Sequence, residues 1–564
     1  MFKSQISRLA IVAALCLPQI GHAQSDPGAY LAARQAAISS DYEAAARYYT
    51  QTLVSDPKNP ALLENGLAAF VSLGQIDRAV AIATVIRDTG LQSQIAHLVL
   101  AAKAAKDGEW SAIFDALEAD QTISPLVDGL AQSWAAIGQG KMAQALASFD
   151  EVIEGEGMRP YGLYHKALAF AVVGDFESAD AILGTPTTGF GYSARSALAH
   201  AQILSQLDRN EDALAVLSAV FGETLDPGIA AIRTQLTAGD SVPFDVIEGP
   251  AQGMGEIAFS VAAALSGETP DGLTLQYARI AEYLNPNNTA AILLSASLLE
   301  NLDQYALANA TFAKVGRDDP AFHQAELGRI DALRAAGKIE AAAEVAESLA
   351  KSHADLPFVH TKLGDVLAAQ DRWDEANTAY TTALDIYSDD DPSRWIVLYT
   401  RAISFFNLDQ WPEAEADFRA ALVLRPDQPQ VLNYLGYSLV ERGEKLDEAL
   451  GMIETAVAAE PDNGAIVDSL GWVYFQLGRY EDAVKPMERA ASLEAVDPIV
   501  NDHLGDVYWA VGRDIEATFQ WNRALSFDPD EDLADRIRRK LEIGLDAVLI
   551  EEGEAPLRVA DDSN

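Results

Sequence analysis

The stretch Ile466-Val467-Asp468-Ser469-Leu470-Gly471-Trp472-Val473-Tyr474-Phe475-Gln476-Leu477-Gly478-Arg479-Tyr480-Glu481-Asp482-Ala483-Val484-Lys485-Pro486-Met487-Glu488-Arg489-Ala490-Ala491 decides the fold. Val467, Leu470, Tyr474 and Phe475 fall at helical spacing. Leu477-Gly478-Arg479-Tyr480 then turns the chain, and Ala483, Met487 and Ala490 recur at i, i+4 and i+7 on a second helix. Gly478 stands where a helix closes through a left-handed residue. Gly471 and Ala483 are small because two helices must approach closely there, and Tyr474 and Tyr480 fill the space beside them. Two helices this short cannot bury their apolar faces alone, so the pair must stack on further pairs.

Those further pairs are present at a fixed period. Leu435-Gly436, Leu470-Gly471 and Leu504-Gly505 lie 35 and 34 residues apart, and Ala449, Ala483 and Ala517 lie 34 and 34 apart. Pro426, Pro461 and Pro529 keep the same beat with one proline missing. In the early half Ala45, Ala79, Ile113, Ala145, Ala179 and Ala213 follow at 34, 34, 32, 34 and 34. Gly74, Gly108, Gly140 and Gly174 mark turns five residues ahead of four of them. Ala308, Ala342 and Ala376 resume the beat. A repeat of this length means a stacked array of helix pairs.

About fourteen units are expected, beginning near residues 26, 60, 94, 126, 160, 194, 252, 289, 323, 357, 395, 429, 464 and 498. The phase breaks once, between Ala213 and Ala308, where Gly222, Pro227, Gly228, Gly239, Pro243, Gly249, Pro250 and Gly253 crowd together. Glycine and proline at that density read as a joint over 222–253 or as one irregular repeat with long loops. The organisation expected is therefore a degenerate solenoid over 24–221, the joint, and a second solenoid over 254–531 with its strongest repeats in 357–531. An amphipathic capping helix over 532–550 follows, with Arg536, Arg538, Arg539 and Lys540 on its polar face, then a polar disordered tail over 551–564.

The pattern resembles the tetratricopeptide repeat. One unit matches it at Leu435-Gly436, Leu439, Ala449, Ile453, Ala456 and Pro461, and the last full unit at Leu504-Gly505, Tyr508, Ala517, Trp521, Ala524 and Pro529. The resemblance implies an all-α fold, a right-handed superhelical solenoid of antiparallel helix pairs whose first helices line a concave groove. It implies a scaffold that binds proteins or peptides, not an activity.

Composition narrows the rest. The 564 residues carry 84 acidic against 40 basic side chains, net charge −44, which disfavours nucleic acid and anionic lipid surfaces. Lys3 and Arg8, the apolar run Leu9–Leu17 and the exit Gly21-His22-Ala23 read as a secretory signal cut after Ala23. Leu15 stands where bacterial lipoprotein signals place a small residue before the cysteine, so Cys16, the only cysteine, is not expected to carry lipid or to tether the chain to an outer membrane. No later run is long enough to span a bilayer. A soluble periplasmic protein beginning at Gln24 is expected. The histidines form no H-E-x-x-H, no G-x-S-x-G or phosphate-cradling loop occurs, and the acidic runs Asp389-Asp390-Asp391 and Asp528–Asp532 lack the EF-hand glycine and glutamate. No catalytic residue, metal or cofactor is expected.

If the first helices line a groove, the facing residues include Asp365, Tyr399, Phe406, Asn433, Tyr437, Asp468, Trp472, Phe475, Asp502, Asp506 and Trp509. Aromatic anchors among carboxylates suit a partner with basic and apolar side chains. Chaperone-binding members of the family hold a C-terminal carboxylate with lysine and asparagine at these places, and Asp468 and Asp502 invert that charge. The segment from Leu432 through Trp472 also looks like bacterial envelope members that present substrates to periplasmic proteases. The function expected is a periplasmic scaffold or adaptor of that kind, the alternative being an assembly factor for exported polysaccharide or envelope machinery.

Overall fold

Short helices are set by strong punctuation at both ends. Asp41, Asn59, Ser93, Ser124, Asp175, Asn463 and Asp497 each cap a helix by accepting from a first-turn backbone N–H. Gly74, Gly108, Gly140, Gly174 and Gly478 take the left-handed conformation between helices, with φ of 71°, 75°, 74°, 81° and 70°. The computed structural model describes residues 27–185, 193–222 and 226–557. They form 31 helices and no strand. Residues 1–23, with Cys16 and the expected cleavage site, lie outside the described residues, as do 558–564. Among the described residues no helix is long and apolar enough to cross a membrane.

The chain divides into two compact units, Met1–Val345 and Ala346–Asn564. Unit 1 begins with the pairs α1–α2 (Pro27–Ile38, Tyr42–Ser55), α3–α4 (Pro60–Ser72, Ile76–Asp88) and α5–α6 (Gln94–Asp107, Trp110–Glu118). It continues with α7–α8 (Pro125–Gly138, Met142–Glu154), α9–α10 (Arg159–Val172, Phe176–Leu183) and α11–α12 (Ala194–Gln206, Asn210–Phe221). A single helix α13 (Pro227–Ala238) is followed by α14–α15 (Pro250–Leu265, Asp271–Leu284), α16–α17 (Thr289–Asn301, Tyr305–Phe312) and α18 (Phe322–Ala335), and the boundary between the units falls within α19 (Ile339–Ser352).

Unit 2 holds α20–α21 (Pro357–Ala368, Trp373–Ile386), α22–α23 (Arg394–Asn407, Trp411–Leu424) and α24–α25 (Pro429–Glu441, Leu446–Ala459). It ends with α26–α27 (Gly464–Gln476, Tyr480–Leu493), α28–α29 (Pro498–Ala510, Asp514–Leu525) and α30–α31 (Glu531–Ile543, Leu545–Glu552). The fourteen expected starts each fall at the head of a first helix. The end differs from expectation: Gly544, at φ 82°, splits the single capping helix into α30 and α31. The tail also begins later, since α31 runs to Glu552 and the Leu557 N–H donates to Asp546 at 2.6 Å.

The phased small residues are where the second helices meet their partners. Ala79, Ala145, Ala179, Ala213, Ala308, Ala342, Ala376, Ala449, Ala483 and Ala517 are all fully buried, at 0% exposure. On the first helices the approach is closer still. A Cβ added at Gly471 would sit 2.1 Å from the Met487 sulfur, and one at Gly505 would sit 2.4 Å from the Trp521 ring.

Between α13 and α14 the coil is tied to α11 by side chains. Ser205 Oγ accepts from the Val242 N–H at 2.9 Å, Gln206 Nε2 donates to the Val242 carbonyl at 2.7 Å, and Gln202 Oε1 accepts from the Asp245 N–H at 3.1 Å. With those backbone groups satisfied, Val242, Val246 and Ile247 are buried.

The main departure from a simple stack follows. Helices α14 and α15 pack on the first helices of earlier repeats, α14 on α5, α7 and α9, and α15 on α3 and α5. Gly253 of α14 lies against the indole of Trp134, which is itself fully buried. Arg279 of α15 is 3% exposed and donates to the Ser72 carbonyl at 3.1 Å and to Glu282 at 2.9 Å. Glu256 of α14, 1% exposed, receives Arg195 Nε at 2.8 Å and the Tyr164 hydroxyl at 2.9 Å. The first-helix face of unit 1 is thus covered by the chain's own hairpin, held in part by paired, buried charges, which are strongly destabilising to break.

Two alanine substitutions should move stability in opposite directions. Gly→Ala in an exposed helix gains up to ~1 kcal/mol. Gly451 of α25 has open space around its Cβ position, so Gly451→Ala should stabilise unit 2. At Gly253 the new methyl would sit 2.4 Å from the Trp134 ring, and overpacking of ~1–3 kcal/mol outweighs the helical gain. Urea unfolding should show the Gly451→Ala midpoint rising and the Gly253→Ala midpoint falling.

Candidate functional site

The eleven expected groove residues all lie on first helices of unit 2, and the structure sorts them into two groups. Asp365 (α20), Tyr399 and Phe406 (α22), and Asn433 and Tyr437 (α24) are half-buried. Tyr399 and Phe406 meet the ring of Tyr434 edge-on, at 6.1 and 5.8 Å between centroids. Burial, with Tyr434 adding to it, pushes the Tyr399 hydroxyl up to about 12. Tyr437 is held above the usual phenol range by burial and then by the carboxylates of Glu441 and Asp468. Asp365 accepts the Tyr380 hydroxyl at 2.9 Å. The side-chain oxygen of Asn433 is buried with no hydrogen-bond partner.

In the second group Asp468, Trp472, Asp502 and Asp506 bond neighbouring first helices and are buried, which corrects the expectation for these residues, while Trp509 stays half-buried. Asp468 (α26) pairs with His503 Nδ1 of α28 at 3.0 Å. Trp472 lies flat between Phe475 and His503, at 4.8 and 4.0 Å, and its indole N–H donates to Glu441 of α24 at 2.8 Å. Asp502 and Asp506 (α28) both receive Lys540 Nζ of α30 at 2.7 Å, and Asp506 also accepts the Trp521 indole N–H at 2.8 Å. Trp509 donates to Asp546 of α31 at 2.8 Å. Asp468, Trp472, Asp502 and Asp506 are therefore buried as staples between successive first helices, and Phe475 is buried within its own pair against Trp472 and Tyr480.

Lys540 was expected on the polar face of the cap. Instead it is 1% exposed, the ammonium closing a site lined by two carboxylates. The signal for it was a lone lysine in phase with Leu533, Ile537 and Leu541 of an amphipathic helix, opposite a run that reads Asn501-Asp502-His503-Leu504-Gly505-Asp506. Buried Glu256 and Arg279 are the other residues that sequence reasoning passed over. Each is a charge inside a largely apolar helical stretch. Among the described residues, no cluster of three or more His, Cys, Asp or Glu side chains is placed to hold a metal.

Removing the lysine should expose what it holds. Lys540→Met leaves Asp502 buried without a cation and Asp506 with only Arg536 at 3.8 Å, a loss of ~3–5 kcal/mol, whereas Lys540→Met with Asp502→Asn and Asp506→Asn should recover most of it. Hydrogen–deuterium exchange over 531–543 should show protection lost in the single variant and regained in the triple.

The Asp468–His503 pair gives a pH dependence. Burial works to lower the His503 pKa, but Asp468, then Asp502 and Asp506, overcome it and hold it above the ordinary 6.5. A raised histidine pKa stabilises the fold fully below its unfolded value, and that contribution is lost as pH rises through the folded value. The urea midpoint of unit 2, read by tryptophan emission, should fall as pH is raised from 6 toward 9, and this slope should flatten in Asp468→Asn.

Comparison with known proteins agrees with this geometry. The family model described as tetratricopeptide repeat matches residues 361–429, 399–445 and 434–498. A TPR repeat-containing protein of Pseudomonas aeruginosa is 30% identical over 190 residues, covering 33% of this chain and 31% of that protein. The matched part thus spans about a third of that relative's length. Among solved structures, the Cut9–Hcn1 hetero-tetramer of the APC/C aligns over 93% of this chain and 97% of its own at 14% identity and a TM-score of 0.40. A thermophilic TPR protein of Thermus thermophilus aligns over 33% of this chain and all of its own at 25% identity and a TM-score of 0.29. With the helix pairs laid out one by one and the family model matched over 361–498, this part of the chain is a run of tetratricopeptide repeats within an all-helical stack.

Proposed function

We propose that the protein is a non-enzymatic scaffold of the periplasm that engages protein or peptide partners on the first helices α20, α22 and α24 of unit 2, as an adaptor presenting substrates to an envelope protease. The observation that carries this reading is the row Asp365, Tyr399, Phe406, Asn433 and Tyr437, half-buried where the corresponding face of α26 and α28 is taken up by contacts within the chain. Aromatic rings and a carboxylate suit a segment with apolar and basic side chains, which brings charge for Asp365. The basic start, apolar run and Gly21-His22-Ala23 exit support export.

The test is crosslinking of the full chain in its native host, followed by recovery from the periplasm and mass spectrometry. A mature chain starting at Gln24, captured with a protease and its substrates, is the expected outcome. Recovery with polymer-export components would favour an assembly factor instead. A buried aromatic anchor contributes ~2 kcal/mol or more, so Tyr437→Ala should weaken capture more than tenfold while circular dichroism stays unchanged. Asp365→Lys should act mainly on the salt dependence of association. Capture unaffected by folded Tyr437→Ala would remove this face from consideration.

A further inference from the structure

Unit 1 contains a cavity of about 770 Å³, bounded by one face of α14 and by the starts of α9, α11, α13, α16 and α18. That volume falls within the ~300–1,000 Å³ of small-molecule sites. Glu256, Phe259, Ser260 and Ala263 recur at i, i+3, i+4 and i+7, so a single helix face forms one wall. Leu198, Phe221, Ile229 and Leu293 supply apolar surface from four other helices or their ends.

The polar groups in the wall are mostly spent on one another. Tyr164 donates to Glu256 at 2.9 Å, and Arg195 Nε donates to both Glu256 oxygens at 2.8 and 2.9 Å. Arg195 Nη2 reaches the Val246 carbonyl at 3.1 Å, Ser193 bonds Ser196 at 3.1 Å, and Gln324 donates to Asp226 at 2.7 Å. Thr289 donates to Asp319. Left over are Nη1 of Arg195 and the hydroxyls of Tyr161 and Ser260, none with a hydrogen-bond partner among the described residues, and of these only Arg195, at the first turn of α11 where the helix dipole favours negative charge, is a cation.

This balance decides the class of occupant. A peptide would bring an N–H and a carbonyl for every residue, each costly to bury unpaired, and these walls have few groups to meet them. An aliphatic chain asks for none, and one carboxylate head matches the one guanidinium edge. We propose that the cavity binds a long-chain fatty acid, the chain lying along Phe259 and Ala263 of α14 and the carboxylate at Arg195 Nη1. The site lies wholly in unit 1 and is independent of the surface assigned above.

The test uses the full-length, delipidated protein with 11-(dansylamino)undecanoate as fluorescent probe and palmitate as competitor. The probe's emission should rise and shift to the blue on binding, palmitate should displace it, and hexadecan-1-ol, lacking the charge, should compete at least tenfold more weakly. Ala263 is exposed to the cavity, so Ala263→Trp should weaken palmitate binding at least tenfold with unchanged circular dichroism. Should that variant lose helicity, Ser260→Phe on the same wall serves the same purpose. The proposal is overturned if palmitate fails to displace the probe, if hexadecan-1-ol competes equally well, or if a folded cavity-filling variant binds palmitate like the wild type.

Discussion

Everything in this structure depends on the close approach of two helices at a glycine or alanine. At Gly471 and Gly505 no Cβ fits beside Met487 and Trp521, and the phased alanines of the second helices are sealed. Helices that approach so closely bury a narrow strip and leave the remaining apolar surface to be covered by the next pair. A stack built on this constraint cannot simply stop. At the C-terminal end α30 supplies the cover, with Lys540 placed between the carboxylates of α28. In unit 1 the hairpin α14–α15 lies across the first helices of α3–α9.

The repeat was legible because its contacts are local. Each pair touches its neighbours, so Ala449, Ala483 and Ala517 feel the same surroundings and keep the same spacing, and the heads of fourteen first helices follow from it. The hairpin contacts carry no such period. Arg279 meets the Ser72 carbonyl 207 residues away, and no spacing rule links the two. What the sequence shows is only a charge in apolar company, at Glu256 and Arg279, or a lysine in phase with the apolar stripe, at Lys540, and such a charge needs a partner that the repeat phase does not name.

The expected binding face was legible in part for the same reason. Helical geometry places Asp365, Tyr437, Trp472 and Asp502 on equivalent sides of successive first helices. It does not say whether the following helix brings a cation or a ring to meet them. Where it brings His503 or Lys540, the residue is absorbed into stacking. Asn433, in equivalent register on α24, keeps an oxygen without a partner. The difference lies in one side chain of the next repeat, not in the motif.

The hairpin across α3–α9 also bears on how the chain reaches its fold. Synthesis supplies the first five helix pairs long before Asp271–Leu284 emerges, so their inner faces wait uncovered while nearly a hundred further residues are added. Contacts of such sequence separation form late and slowly, because the intervening loop must be closed before they reward the chain. Trp134, Tyr164 and the Ser72 carbonyl lack those partners during that interval, and a nascent chain held short of residue 284 is a sticky, incomplete stack. Covering of the early stack is an event with a defined last piece, α15, rather than a gradual zippering from one end.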